Sequence, residues 1–298
     1  MKLWASLLAT AVFASSIGSA EAAPTPEAVA SIPTEFNENL SEDTDGTFYV
    51  TGAFESDLWK ISPGGKVEKL AHFNEYPIIL GIVARPDGLI MGIMRRDFRK
   101  PGGIDISDVG PEIVMLDKKG KVLATVPGQK GQVFNGMVAD GHGRVLLTDS
   151  GGGAILQFDP KTRKISTWLK DPVLAPVKGL GANGLKVTRD WVYVGNREKA
   201  SIYRVRRDAE GRPQGSPVLV ADGLTDVDDF AVAPNDVIYV PPRDPAKPGP
   251  MLRITPDGKS STFLTGQYGP SAVVSRDGKW VYWASGAGPA KLWRAPIS

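Results

Sequence analysis

A chain of 298 residues, 42% hydrophobic and 23% charged, has ordinary globular composition and ample length for a large core. Its formal net charge of +2, with no long basic run, gives no case for a nucleic-acid partner. The absence of cysteine excludes disulfides, thiol nucleophiles and zinc–thiolate centres, so the fold must be held by its core alone.

In chain order, residues 1–22 read as a secretory signal peptide. Met1-Lys2 gives a short positive start, "LWASLLATAVFASSIG" an apolar run, and Ala20 to Ala22 a small-residue cleavage site. Residues 23–298 are then expected to form a single exported domain, secreted or periplasmic, with no stable membrane insertion after cleavage, since no later segment can span a bilayer. A strand follows in "PEAVASIP", Pro26 to Pro33.

From there the chain repeats itself. "DTDGTFYVTG" from Asp43, "RPDGLIMGIM" from Arg85, "DGHGRVLLTD" from Asp140, "TRDWVYVGN" from Thr188, "APNDVIYVPP" from Ala233 and "SRDGKWVYWA" from Ser275 each place a polar turn between apolar strands. A second strand–turn–strand motif follows each, as in "LWKISPGGKVEKLAHF" and "ILQFDPKTRKISTWL"; the last, "KLWRAPI", is a strand alone. Six four-stranded units, recurring every forty to fifty-odd residues, predict an all-β, six-bladed β-propeller. No long 3.6-period segment argues for helices instead. The sixth unit lacks its fourth strand, and the N-terminal strand is expected to supply it, closing the ring and covering an edge.

The first strand of each blade lines the central channel, and its first residue sits at one rim. Counting back from the turns gives six equivalent positions: Glu38, Leu80, Asn135, Asn183, Asp229 and Pro270. The turns of blades four and five are degraded, so Asn183 and Asp229 are placed to within about one residue, and Asp228 adjoins Asp229. Asn135-Gly136 and Asn183-Gly184 therefore read as strand mouths with inward amides rather than hairpin turns, the glycines letting neighbouring backbones approach. Two carboxylates and two amides converging on one axis suit a hard divalent cation. The alternative is that these residues merely cap strand ends.

The repeats, with "NENLSEDTDGTFYV", "FNGMVADGHGRVLLTDS", "GANGLKV" and "DVDDFAV", resemble the gluconolactonase, regucalcin and senescence-marker-protein family of six-bladed propellers and its strictosidine-synthase-like relatives. The resemblance spans the mature chain. It implies a divalent ion, calcium above all, held by Glu38, Asn183 and Asp229, with Asn135 near the substrate. Asp229 and Asn135 would then be the catalytic residues. The sequence departs from the sugar lactonases at Val133, where they carry a substrate-binding arginine, and in Asn39-Leu40 after Glu38. The C-terminal segment of blade six, Gly269 to Trp293, contains no glutamate, against strictosidine-synthase chemistry.

Other chemistries find little support. His72 and His142 lie on an outermost strand and in a turn at the opposite rim, so neither is placed for a triad. No G-x-S-x-G elbow occurs. Two long loops, Arg95 to Glu112 and Pro241 to Pro250, emerge on the rim of the Asn and Asp residues, where binding sites often form. Arg95, Arg96 and Arg99 are candidate contacts for an acidic substrate, and Phe98 for an apolar one. The expected function is an exported, metal-dependent hydrolase of a lactone or related ester. The alternative is a non-hydrolytic propeller that binds a small molecule or catalyses a condensation or cyclisation.

Overall fold

The computed structural model describes residues 23–297 except 102, 109, 226, 244–246 and 286–289; the expected signal peptide, residues 1–22, lies outside the described residues. Six four-stranded antiparallel sheets make up the described chain, with a small two-stranded ribbon, Arg99–Lys100 with Gly103–Ile104, in the loop of the second sheet. The inner strands are Asn37–Glu42, Ile78–Arg85, Phe134–Ala139, Ala182–Val187, Ala231–Val232 and Ser271–Val274. Each touches the inner strands of the sheets before and after it, and the last touches the first, so the sheets form a closed six-bladed propeller.

Successive residues of a strand point to opposite faces of its sheet, and here each face meets a neighbouring blade. In the second strand of blade one, Phe48–Gly52, Tyr49 packs with Ile79, Met91 and Val114 of blade two. Its neighbours Phe48 and Val50 pack instead with Ala284 and Leu292 of blade six. The same division recurs around the ring, giving six apolar clusters, one between each pair of adjacent blades. Both faces being buried, these strands are near-continuous apolar runs, which is why the sequence shows no clean polar–apolar alternation in "FYV" or "LIM".

Blade six is completed from the N-terminus as expected. Glu27–Ile32 pairs antiparallel with Ala290–Pro296, from Glu27 opposite Arg294 to Ile32 opposite Ala290. Ile32 is buried among Leu40, Trp59 and Leu292, so the closing strand is anchored by core packing as well as by its ladder.

Candidate active site at the channel mouth

Four of the inner strands share an irregularity that places the site. In blade one Asn37 pairs with Gly52 but Leu40 with Val50, so Glu38 and Asn39 together face Thr51. The same two-against-one bulge occurs at Leu80-Gly81, Asn135-Gly136 and Asn183-Gly184. A bulge re-aims a side chain that regular pairing would send into the sheet face. Here it brings the blade-one pair onto Asn135, which bonds Glu38 and accepts from Asn39 Nδ2 at 3.4 Å.

The second residue of the pair explains the glycines. A Cβ on Gly81 would lie 1.9 Å from the carbonyl oxygen of Asn135, one on Gly136 2.4 Å from that of Asn183, and one on Gly184 2.8 Å from that of Asp228. Each bulge thus packs against the backbone of the next. Gly184 N–H donates to the Asp228 carbonyl at 2.8 Å, and the Thr148 and Thr51 hydroxyls donate to the carbonyls of Asn183 and Leu80 at 2.6 and 2.8 Å.

This register corrects the fifth position. Asp228 stands where Asn135 and Asn183 stand, and Asp229 takes the place of their glycines. Asn183 Nδ2 donates to Asp228 Oδ1 at 2.7 Å. The carboxylate of Asp229 is instead held by Lys186 Nζ, 2.7 Å from both oxygens, and by the Ser271 hydroxyl at 2.8 Å. Burial moves the Asp229 carboxyl above its ordinary value, and Lys186 and Ser271 act against that shift. The carboxylate that joins Glu38, Asn135 and Asn183 is therefore that of Asp228, and Asp229 belongs to a buried ion pair with blade four.

Glu38, Asn135, Asn183 and Asp228 are all buried. Burial, followed by the repulsion of Asp228, pushes the Glu38 carboxyl up to about 8, while Arg243, Arg197 and a hydrogen bond from Asn135 favour its charged form. The guanidinium of Arg243, from the blade-five loop, donates through Nε to Asp228 Oδ2. Leu80 lies with Phe98, Val133 and Leu180 in a separate apolar cluster, which adjoins the mouth through the Leu80 bulge.

The expected loop arginines have other partners. Arg95 pairs with Glu112, Arg96 with Asp108 and Arg99 with Asp97. Arg99 also stacks on Phe54, 3.8 Å from the ring centroid; Phe54 stacks on Phe36 at 5.3 Å, and Arg243 lies over Phe36 at 5.8 Å. Arg243, Arg197 and the Phe36–Phe54 pair do not stand out in the sequence. Arg197 had a signal: it follows "VYVGN" as Ser150 follows "VLLTD".

Among the described residues no three His, Cys, Asp or Glu side chains gather into a metal-sized group. The donors at the mouth are two carboxylates and the Asn183 amide, all capable of oxygen ligation. The repulsion that Asp228 exerts on the buried Glu38 carboxylate is what a hard cation relieves, so the residues fit such an ion.

The molecule is thus a six-bladed propeller with a polar, carboxylate-bearing channel mouth. Solved structures share its architecture at low identity. A gluconolactonase from Xanthomonas campestris is 14% identical with a TM-score of 0.66, over 92% of this chain and 90% of that one. A calcium-binding regucalcin from Agrobacterium tumefaciens is 13% identical with a TM-score of 0.63, over 92% and 93%. An aldose sugar dehydrogenase from Streptomyces coelicolor, solved with bound PQQ, is 15% identical with a TM-score of 0.60, over 92% and 98%. No protein-family profile matches the sequence, and no curated protein does. The fold is the one found in the gluconolactonase and regucalcin-like propellers, as the sequence resemblance implied; it hosts more than one chemistry.

Proposed function

We propose that the chain is a hydrolase of lactones or related esters, acting at the mouth formed by Glu38, Asn135, Asn183 and Asp228. The observation that carries this reading is the convergence of these four buried side chains from repeat-equivalent positions. Glu38, Asn183 and Asp228 are the residues that would hold a divalent cation, calcium best matching oxygen-only donors. Such an ion, when bound, polarises a substrate carbonyl and acidifies a water. The Asn135 amide orients the substrate by hydrogen bonding, and the cluster of Phe98, Leu80, Val133 and Leu180 walls one side of the mouth against solvent. On the same footing, residues 1–22 are proposed to be removed on export, which N-terminal sequencing of the mature protein would check.

One observation favours a second reading, a small-molecule-binding propeller without hydrolysis: Arg243 already supplies Asp228 with a cation. A panel of lactones and esters, assayed with calcium and with chelator, separates the two. Turnover that follows calcium occupancy supports the hydrolase. A wild-type protein that binds no calcium and turns over no member of the panel leaves the binding reading.

A further inference from the structure

The blade-five loop enters the mouth through one side chain, and that side chain is held at three points. Gly269, at the entry to the inner strand of blade six, donates its N–H to the carbonyl of Pro242 at 2.8 Å, which fixes the backbone just before Arg243. From there the guanidinium donates through Nε to Asp228 Oδ2. It also lies over Phe36 of blade one, 5.8 Å from the ring centroid. Arg243 therefore reaches across blade six, from the carboxylate of blade five to the blade that carries Glu38. Its side chain is 24% exposed and that of Asp228 4%, so the guanidinium sits on the solvent side of a buried carboxylate.

Asp228 has little latitude to turn away. Its carbonyl accepts from Gly184 N–H at 2.8 Å, and its Oδ1 accepts from Asn183 Nδ2 at 2.7 Å. Both carboxylate oxygens are thus engaged, Oδ1 by a neutral amide and Oδ2 by a cation of the chain itself. A divalent ion at Asp228 either shares the carboxylate with the guanidinium or dislodges it. Sharing sets like charges a few ångströms apart with little water between them, where their repulsion is strong. Dislodging breaks a charge-assisted hydrogen bond, about twice as strong as a neutral one. By either route Arg243 opposes the ion. The face of Phe36 gives the displaced guanidinium a second seat, so that it need not leave the mouth. We propose that Arg243 is a tethered competitor at the ion site: it occupies the Asp228 carboxylate and sets the concentration at which calcium takes it. This role rests on the ion site proposed above and not on hydrolysis.

The test is calorimetric titration of the full protein with calcium after chelator treatment. Arg243→Gln is expected to bind calcium at least about tenfold tighter than the wild type, whereas Arg243→Lys, which keeps the charge, stays within about threefold of it. In an Asp228→Asn background Arg243→Gln should change calcium affinity by less than about threefold, because the contact it relieves is already gone. In chelator Arg243→Gln should melt below the wild type, since the buried Asp228 carboxylate keeps only a neutral partner, and calcium should raise its melting temperature further than it raises that of the wild type. A spectroscopic readout on the wild type covers the case in which Arg243→Gln fails to fold. The Arg243 Nε–H resonance, assigned by its loss in Arg243→Lys, should be protected from exchange in chelator, and should shift and lose protection as calcium is added. Calcium affinity no higher in Arg243→Gln than in the wild type, an equal gain in Arg243→Lys, a gain that persists with Asp228→Asn, or an Arg243 resonance unmoved at saturating calcium each overturns the proposal. So does a protein that binds no calcium with or without Arg243. Lactone hydrolysis that follows calcium, with calcium affinity indifferent to Arg243→Gln, sinks the tethered competitor and spares the hydrolase. Tighter calcium binding by Arg243→Gln in a protein that hydrolyses nothing does the reverse.

Discussion

Asp228 and Asp229 are chain neighbours that face different partners. Asp228 meets Asn183 and Arg243 at the mouth; Asp229 is locked by Lys186 and Ser271. Asp228→Asn should therefore weaken calcium binding by at least tenfold, about 1.4 kcal/mol, in a calorimetric titration. Asp229→Asn should leave calcium affinity nearly unchanged and instead destabilise the fold by about 3–5 kcal/mol in urea melts, because it strands the buried Lys186 ammonium. The reverse pattern would restore Asp229 to the mouth. Glu38 yields a pH prediction for calcium-free protein. Its carboxyl is raised to about 8 from an ordinary 4.5. At low pH it is protonated in folded and unfolded chain alike, and its contribution is at its most favourable. As pH climbs from the unfolded value toward the folded one, the unfolded chain releases the proton first, so stability falls across that window. Urea melts in chelator should show this decline in the wild type and a flatter profile in Glu38→Gln; parallel profiles would mean the carboxyl is ionised throughout. The Asp228–Asp229 pair was ambiguous in the sequence for a physical reason. In "FNGM" and "ANGL" a glycine marks the second bulge position, whereas in "VDDF" an aspartate occupies it, so the register cannot be counted from glycine.

At the level of the strand, the bulge is the device that makes a site out of a repeat. It costs four of the six inner strands their regular pairing at one point and re-aims a side chain there. Gly136→Ala would bring a Cβ within 2.4 Å of the Asn183 carbonyl, a backbone atom with little room to yield. We expect a loss of about 1–3 kcal/mol in urea melts. Gly64→Ala, with nothing within 4 Å of its Cβ, should change stability by less than about 0.5 kcal/mol. Equal effects from the two would mean that the bulges do not pack as described. Strands and turns were legible because apolar runs and Asp-Gly turns recur in register. The bulges were not, since one inserted residue leaves an apolar run looking the same. Arg243 was hidden for a related reason: it lies on a long loop whose length has no counterpart in most of the other blades, so no repeat count reaches it.

For the whole molecule, the six-fold repeat makes the architecture readable from the sequence alone, and even the closing strand can be found by asking which blade is short of one. Deleting Glu27–Ile32 should expose the edge of Ala290–Pro296 and remove Ile32 from the interface of blades six and one. We expect a lower melting temperature and self-association by light scattering; a soluble monomer with an unchanged melting curve would show the closure to be dispensable. Calcium should act oppositely, raising the melting temperature in proportion to the logarithm of its concentration once above its dissociation constant, since it binds only where the blades meet. The closing ladder has one further consequence, for the order of events as the protein is made. Glu27 and Arg294, 267 residues apart, are bonded to each other, so the strand that leaves the ribosome first waits for one of the last. Blades one to five can each pair within themselves as they are synthesised, but Glu27–Ile32 has no partner until Ala290–Pro296 has emerged. Contacts of such long range form slowly. The emerging chain therefore keeps an unsatisfied edge until Ala290–Pro296 is made, and the ring can shut only then.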